Sequence, residues 1–248
     1  MAVTSTLMAV SEQTAETVKW VSLGAIALLV IVITLLCVFN RKFSSREVAF
    51  AGVCLAASFA LSFIKISPVQ FGGSITLASF VPLLVYAYKY GFVKGTLAGF
   101  ILGLFNFISD GYMLTALTFI LDYLLAFASI GLMGFAPKFG KLPVTAKVSI
   151  GTALVFAVRF AFHLFSGFIY FAENAIWVNL PADNMFLYSF IYQCVYLPAD
   201  CAICIAVLAA LAKTGALGRL LQLMDKPTKK SRTATESETP ADDGSEKQ

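Results

Sequence analysis

The sequence predicts an all-α integral membrane protein, and three observations carry that prediction. Hydrophobic residues make up 59% of the chain and charged residues 13%, against about 45–50% and about 25% in an average soluble domain. The mean hydropathy is +0.83, and apolar runs of about 20 residues, each enough to cross a hydrocarbon core of about 30 Å, recur along most of the chain. No stretch alternates apolar and polar residues as the strands of a membrane barrel must, so the runs are read as helices whose backbone groups pair internally.

Residues 1–19 are polar and lack the basic start of a signal peptide. The apolar run at 20–40 is too long for a signal core and ends at Arg41-Lys42, so it reads as a retained transmembrane helix. Further helices are predicted at 46–66, 74–90, 91–108, 115–136, 146–172 and 185–212. Residues 226–248 are rich in Lys, Ser, Thr, Glu, Asp and Pro. A segment of that composition buries too little to fold, and it reads as a disordered tail. No internal repeat is visible, which disfavours an inverted-repeat transporter.

Basic residues occupy alternate connections: Arg41, Lys42 and Arg46; Lys89 and Lys94; Lys138, Lys141 and Lys147; Lys213 and Arg219. The positive-inside rule puts these on the cytoplasmic side, with the amino terminus outside and the carboxyl terminus inside. The opposite loops hold Ser109-Asp110-Gly111-Tyr112, then Glu173, Trp177 and Asp183. The net charge of +4 is spread over these connections and the tail, which excludes a nucleic-acid patch. The five cysteines lie in apolar runs and read as packing residues, including the Cys201-x-x-Cys204 pair. No phosphate-binding loop, H-E-x-x-H or G-x-S-x-G motif is present, so neither ATP hydrolysis nor a cofactor is expected of this chain.

Four ionisable residues fall inside predicted membrane helices: Asp122, Arg159, His163 and Asp200. Such residues are costly in lipid and mark either a function or a buried pair. At 1.5 Å per residue, Asp122 lies roughly 9 Å and His163 roughly 13 Å from the outer ends of their helices. Arg159 is one turn deeper than His163 on the same face. Asp200 is roughly 21 Å in, near the level of Arg159. Two readings stay open. Arg159 with Asp200 and His163 with Asp122 could be pairs that lock the bundle. Alternatively, Asp122 and His163 line an outward pocket with Tyr188, Tyr192 and Gln193 from the last helix and Tyr170 and Phe171 from the one before. Aromatic faces, a carboxylate and an imidazole suit a flat, polar, cationic heterocycle. Separately, Gly52, Ala56 and Ala60 recur every four residues, a small-residue row that serves close helix packing or docking of another membrane subunit.

Several segments resemble the thiamine-specific substrate-binding (S) component of energy-coupling factor (ECF) transporters. They are Phe71-Gly72-Gly73-Ser74-Ile75-Thr76-Leu77 before Pro82, Tyr90-Gly91-Phe92-Val93-Lys94-Gly95 with Ala98-Gly99, and Leu121-Asp122-Tyr123-Leu124-Leu125-Ala126-Phe127. The strongest is Arg159 to Phe171, with its His163-x-x-Ser166-Gly167 core, followed by Tyr188-Ser189. The resemblance implies a six-helix S-component bundle over 46–212, here with one extra amino-terminal transmembrane helix. It implies vitamin capture from outside, and partnership with a coupling transmembrane subunit and two cytoplasmic ATPases. It places the substrate-binding residues at Asp122, Tyr123, Arg159, His163, Phe171, Tyr188 and Gln193, and the partner-docking row at Gly52, Ala56 and Ala60. In the family pattern the carboxylate is Glu, the basic residue often Lys, the stacking ring often Trp and the amide Asn. Asp122, Arg159, Phe171 and Gln193 depart from it, which fits thiamine or a close relative such as a pyrimidine precursor. A membrane enzyme and a ligand-free assembly subunit are the remaining alternatives.

Overall fold

The computed structural model describes residues 43–68, 73–110, 115–174 and 185–225, with the side chains of 67, 68, 110, 169–174 and 185 outside that description. The polar start, the helix predicted at 20–40, the tail, Phe71, Trp177 and Asp183 therefore lie outside the described residues. So do the side chains of Tyr170 and Phe171.

Helix α1 spans Ser45–Ser62 and begins at a capping box, in which Ser44 and Glu47 satisfy each other's backbone N–H groups. A two-stranded antiparallel hairpin follows, β1 at Lys65–Pro68 and β2 at Ser74–Thr76. Helix α2, Val81–Tyr90, carries Pro82 in its first turn, where the missing N–H is no loss. Helix α3 spans Phe92–Asp110, and α4 runs over Ala116–Lys138 with changing helical pitch. Helix α5 covers Val144–Asn174, α6 covers Met185–Lys213, and α7 is a short helix at Ala216–Asp225.

Five helices among the described residues, all but α2 and α7, are long and apolar enough to cross a membrane. The predicted helix at 74–90 is thus a strand, a turn and a ten-residue helix. At 1.5 Å per residue α2 reaches only about 15 Å, half a hydrocarbon core. It is instead a central plug: Leu83, Leu84 and Ala87 are fully buried. The same core holds Ile130, Met133 and Ala136 of α4, Val148 and Val155 of α5, and Cys204 and Leu208 of α6, all fully buried. The exposed surface is apolar as well, including Val48, Val53, Ile101, Phe105, Ile150 and Phe165, as a lipid-facing surface requires.

The basic connections meet at one end. Lys94 pairs with Glu47 of α1 at 2.5 Å and Lys89 pairs with Asp225 of α7. Arg46 donates to the Leu223 carbonyl at 3.3 Å, and Lys147 to that of Pro137 at 3.0 Å. Helix α7 buries Leu217 and Met224 and exposes Leu220 and Leu223.

Candidate functional site

Asp122 enters the bundle on an irregular stretch of α4. Thr115 and Thr118 cap the start of the helix reciprocally. From Ile120 to Leu125 the backbone is π-helical, and the Ala126 N–H bonds to the Leu121 carbonyl five residues back. Such π turns gather at functional sites because they re-aim a side chain. The neighbouring helix leaves room for this one. A Cβ on Gly103 would lie 1.9 Å from the Tyr123 carbonyl oxygen, and one on Gly99 would lie 2.2 Å from that of Phe127. Only glycine lets α3 rest on α4 at those two points.

Helix α5 presents Arg159, His163, Ser166 and Gly167 on one face, at i, i+4, i+7 and i+8. A Cβ on Gly167 would lie 2.3 Å from Ser189 Oγ, so α5 and α6 cross there at close range. Ser189 Oγ donates across the crossing to the Leu164 carbonyl at 2.9 Å.

These elements bring Asp122, His163 and Arg159 into one hydrogen-bonded chain. Arg159 Nε approaches His163 Nε2 at 3.2 Å, and His163 Nδ1 approaches Asp122 Oδ1 at 2.7 Å. A guanidinium can only donate, so Nε2 accepts and the imidazole proton sits on Nδ1. His163 is therefore a neutral ring that donates to Asp122. Ser166 Oγ donates to the other carboxylate oxygen at 2.5 Å. Gln193 Nε2 donates to the His163 carbonyl at 3.1 Å, and Tyr196 OH donates to Gln193 Oε1 at 2.7 Å. The Asp122 side chain keeps 28% of its surface exposed, against 10% for His163.

The Arg159 guanidinium lies over the rings of Phe80 and Phe127, 4.1 and 4.5 Å from their centroids. It is buried, and its Nη1 has no hydrogen-bond partner among the described residues. The pairing of Arg159 with Asp200, one of the two readings of the sequence, does not form. The two rings hold the guanidinium while His163 takes its Nε–H, and Asp200 turns to Thr76 of β2 instead. Tyr123 joins an aromatic row with Phe107 and Phe127, at centroid distances of 5.2 and 6.5 Å. Tyr188, on α6, is buried. Gly52, Ala56 and Ala60 all lie on the exposed face of α1, and nothing lies within 4 Å of where a Gly52 Cβ would stand.

Ser166, Tyr196 and Phe80 join the site although none was among the binding residues the sequence predicted, Ser166 entering there only as part of the His163-x-x-Ser166-Gly167 core. Ser166 follows His163, and Tyr196 follows Gln193, at i+3, so helical spacing from a named residue was enough to find both. Phe80 has no such signal.

Comparison with known proteins bears on the same residues. The family model described as thiamine transporter protein matches residues 48–217. The thiamine transporter ThiT of Bacillus subtilis (strain 168) is 29% identical over 152 residues, covering 58% of this chain and 77% of that relative. A solved structure of ThiT from Listeria monocytogenes shares the fold, with a TM-score of 0.58 over 68% of this chain and 94% of that one, at 20% identity. The family match runs from α1 into α7 and takes in Asp122, Arg159, His163, Ser166 and Gln193; this chain belongs to the thiamine transporter protein family.

Proposed function

We propose that this membrane protein captures thiamine, or a close relative, from outside the cell as the substrate-specificity subunit of an ATP-driven ECF importer. The observation that carries the reading is the unspent capacity of Asp122. Each of its oxygens takes one donor from the protein, yet the side chain remains partly exposed. A pair that served only to lock the bundle would gain nothing from that opening. An aminopyrimidine offers N–H donors to such a carboxylate, and a thiazolium supplies a positive charge for it to balance. Around it, His163 and Ser166 hold the carboxylate in place, and Arg159 fixes the tautomer of His163. Tyr188 and Tyr123 supply rings, and the family resemblance adds Phe171. Gln193 spends one N–H and one lone pair of its amide on His163 and Tyr196, leaving the rest for ligand.

The fragment of thiamine that dominates recognition is open to direct test. Purified protein in detergent is titrated calorimetrically with thiamine, its pyrimidine moiety and its thiazole moiety. One equivalent of thiamine binds with sub-micromolar affinity in the expected result. Failure of all three at micromolar concentration overturns the ligand assignment, and preference for the pyrimidine alone shifts it to a precursor.

The importer assignment adds partners: a coupling transmembrane subunit and two ATPases, which hydrolyse the ATP. The exposed Gly52, Ala56 and Ala60 row supports α1 as the face that meets the coupling subunit. The gathering of Arg46, Lys89, Lys94 and α7 at one end supports placing that end, and the carboxyl terminus, in the cytoplasm. The affinity-tagged chain should recover the coupling subunit and ATPases from its own membranes. Gly52→Leu should reduce that recovery while thiamine binding persists; undiminished recovery would move the docking face.

A further inference from the structure

Asp200 sits deep in α6, 3% exposed, and has a task other than neutralising Arg159. Its Oδ1 accepts the Thr76 N–H at 3.3 Å and the Thr76 Oγ–H at 3.0 Å. Because the Thr76 hydroxyl proton is committed to Asp200, Ser79 Oγ must be the donor in its 2.7 Å contact with Thr76 Oγ1. The three side chains form one buried chain, Ser79 to Thr76 to Asp200, with Thr76 and Ser79 at 6% and 2% exposure.

This chain spans a strained turn. Ala78 has φ +55°, in the left-handed region that side chains disfavour. Its N–H bonds back to the Thr76 carbonyl at 2.9 Å, and its carbonyl accepts from Val81 at 3.0 Å. Such a conformation persists only where the surroundings over-determine it, and the Asp200 contacts do so here. On the other side of β2 the Gly73 N–H donates to Tyr192 OH at 3.2 Å. A Cβ on Gly73 would lie 2.7 Å from that oxygen and 3.1 Å from the Tyr196 ring. Tyr196 in turn donates to Gln193, and its ring lies 6.4 Å from that of His163. The strand is thus laid on α6 at two places, Tyr192 and Asp200, two helical turns apart.

We propose that Asp200 is a positioning residue: as a hydrogen-bond acceptor it fastens the turn at 76–79 to α6, and so holds Gly73 against Tyr192 and Tyr196 as a wall of the binding site. The wall's effect on ligand rests on the thiamine reading above; the fastening itself does not. Loss of the acceptor frees the strand, and bound thiamine then leaves faster. Asparagine retains an acceptor oxygen for both Thr76 contacts while discarding the charge.

The experiment uses the full chain in detergent or nanodiscs and two readouts, hydrogen–deuterium exchange of residues 73–80 without ligand and the dissociation rate of labelled thiamine. Asp200→Ala should speed both by about tenfold, the scale of a lost hydrogen bond to a charged acceptor. Asp200→Asn should stay within about threefold of wild type, since the acceptor remains. Thr76→Val, which removes only the hydroxyl, should fall between them and serves if Asp200→Ala fails to fold. Leu208→Ala, a buried site further along α6, should lower the melting temperature without changing either rate. The proposal is overturned if Asp200→Ala and Thr76→Val leave both rates at wild type. It is overturned equally if Asp200→Asn behaves as Asp200→Ala, for then the charge and not the acceptor matters. Should wild type bind no thiamine while the exchange pattern comes out as stated, the fastening holds and the ligand assignment falls.

Discussion

Two regions of this protein link charges across helices, and they do so to different ends. At the end where the basic connections meet, Glu47 pairs with Lys94 and Asp225 with Lys89. Each acid meets one base, and the bonding capacity left on Asp225 faces water. Inside the bundle, Arg159 leads through neutral His163 to Asp122, which Ser166 also serves. That chain ends on a partly exposed carboxylate at one side and, at the other, a guanidinium Nη1 with no hydrogen-bond partner among the described residues. Capacity left unused in a low-dielectric setting is what distinguishes a binding site from a staple, because burying it without a further partner is expensive.

The sharpest way to break this contrast is Asp122→Ala. It removes the carboxylate and leaves the His163 Nδ1–H and Ser166 Oγ–H without their acceptor. Charged hydrogen bonds contribute about 1.5–3 kcal/mol each, so calorimetry should show thiamine affinity down by about 100-fold or more. An affinity within about threefold of wild type would mean that recognition lies elsewhere.

Next in size comes a comparison of two glycines. Gly103→Ala puts a methyl group 1.9 Å from the Tyr123 carbonyl. The π-helical stretch must move, at a cost of about 1–3 kcal/mol, and thiamine binding should weaken along with thermal stability. Gly52→Ala meets nothing within 4 Å. It should leave stability unchanged or raise it by about 0.5–1 kcal/mol, the gain of alanine over glycine inside a helix. Equal melting temperatures for the two variants would contradict the close approach of α3 to α4.

Arg159→Met tests the inner end of the chain. Methionine fills the space between Phe80 and Phe127 but cannot donate to His163 Nε2. The imidazole is then free to change tautomer and turn an acceptor toward Asp122. Thiamine affinity should fall by about tenfold, one charge-assisted hydrogen bond acting through a neighbour. Unchanged affinity would reduce Arg159 to a packing residue.

What the sequence revealed of this site was depth rather than direction. Ionisable residues are rare enough in apolar runs that Asp122, Arg159 and His163 stand out, and the four-residue spacing put the last two on one face. Depth also set Arg159 level with Asp200, yet the two do not pair, because the azimuth of each side chain depends on neighbours that lie far off in sequence. Phe80 and Phe127 claim one, and Thr76 the other. The π turn at Asp122 has the same character, since it is matched to Gly99 and Gly103 on another helix. The hairpin escaped notice because Ser74 to Tyr90 reads as one apolar run, and an alanine at positive φ leaves no mark in sequence. Helix α7 did show a pattern, Leu217, Leu221 and Met224 at i, i+4 and i+7, but over only ten residues. The fold class, by contrast, needs only the lengths of apolar runs, which are local.

The smallest effect belongs to the paired end, and it sharpens the contrast from the other direction. Lys89→Ala removes the partner of an Asp225 side chain that is 67% exposed. Water and salt screen such a pair, and exposed ion pairs contribute about 0–1 kcal/mol. Thiamine affinity should be unchanged and the melting temperature nearly so. Lys94→Ala should cost more, because Lys94 and Glu47 are only 13% and 17% exposed and the uncovered Glu47 would be poorly solvated. Neither change touches Asp122. A loss of thiamine affinity in Lys89→Ala would therefore mean that α7 and the α2 end are coupled to the site, and that the two regions do not act separately.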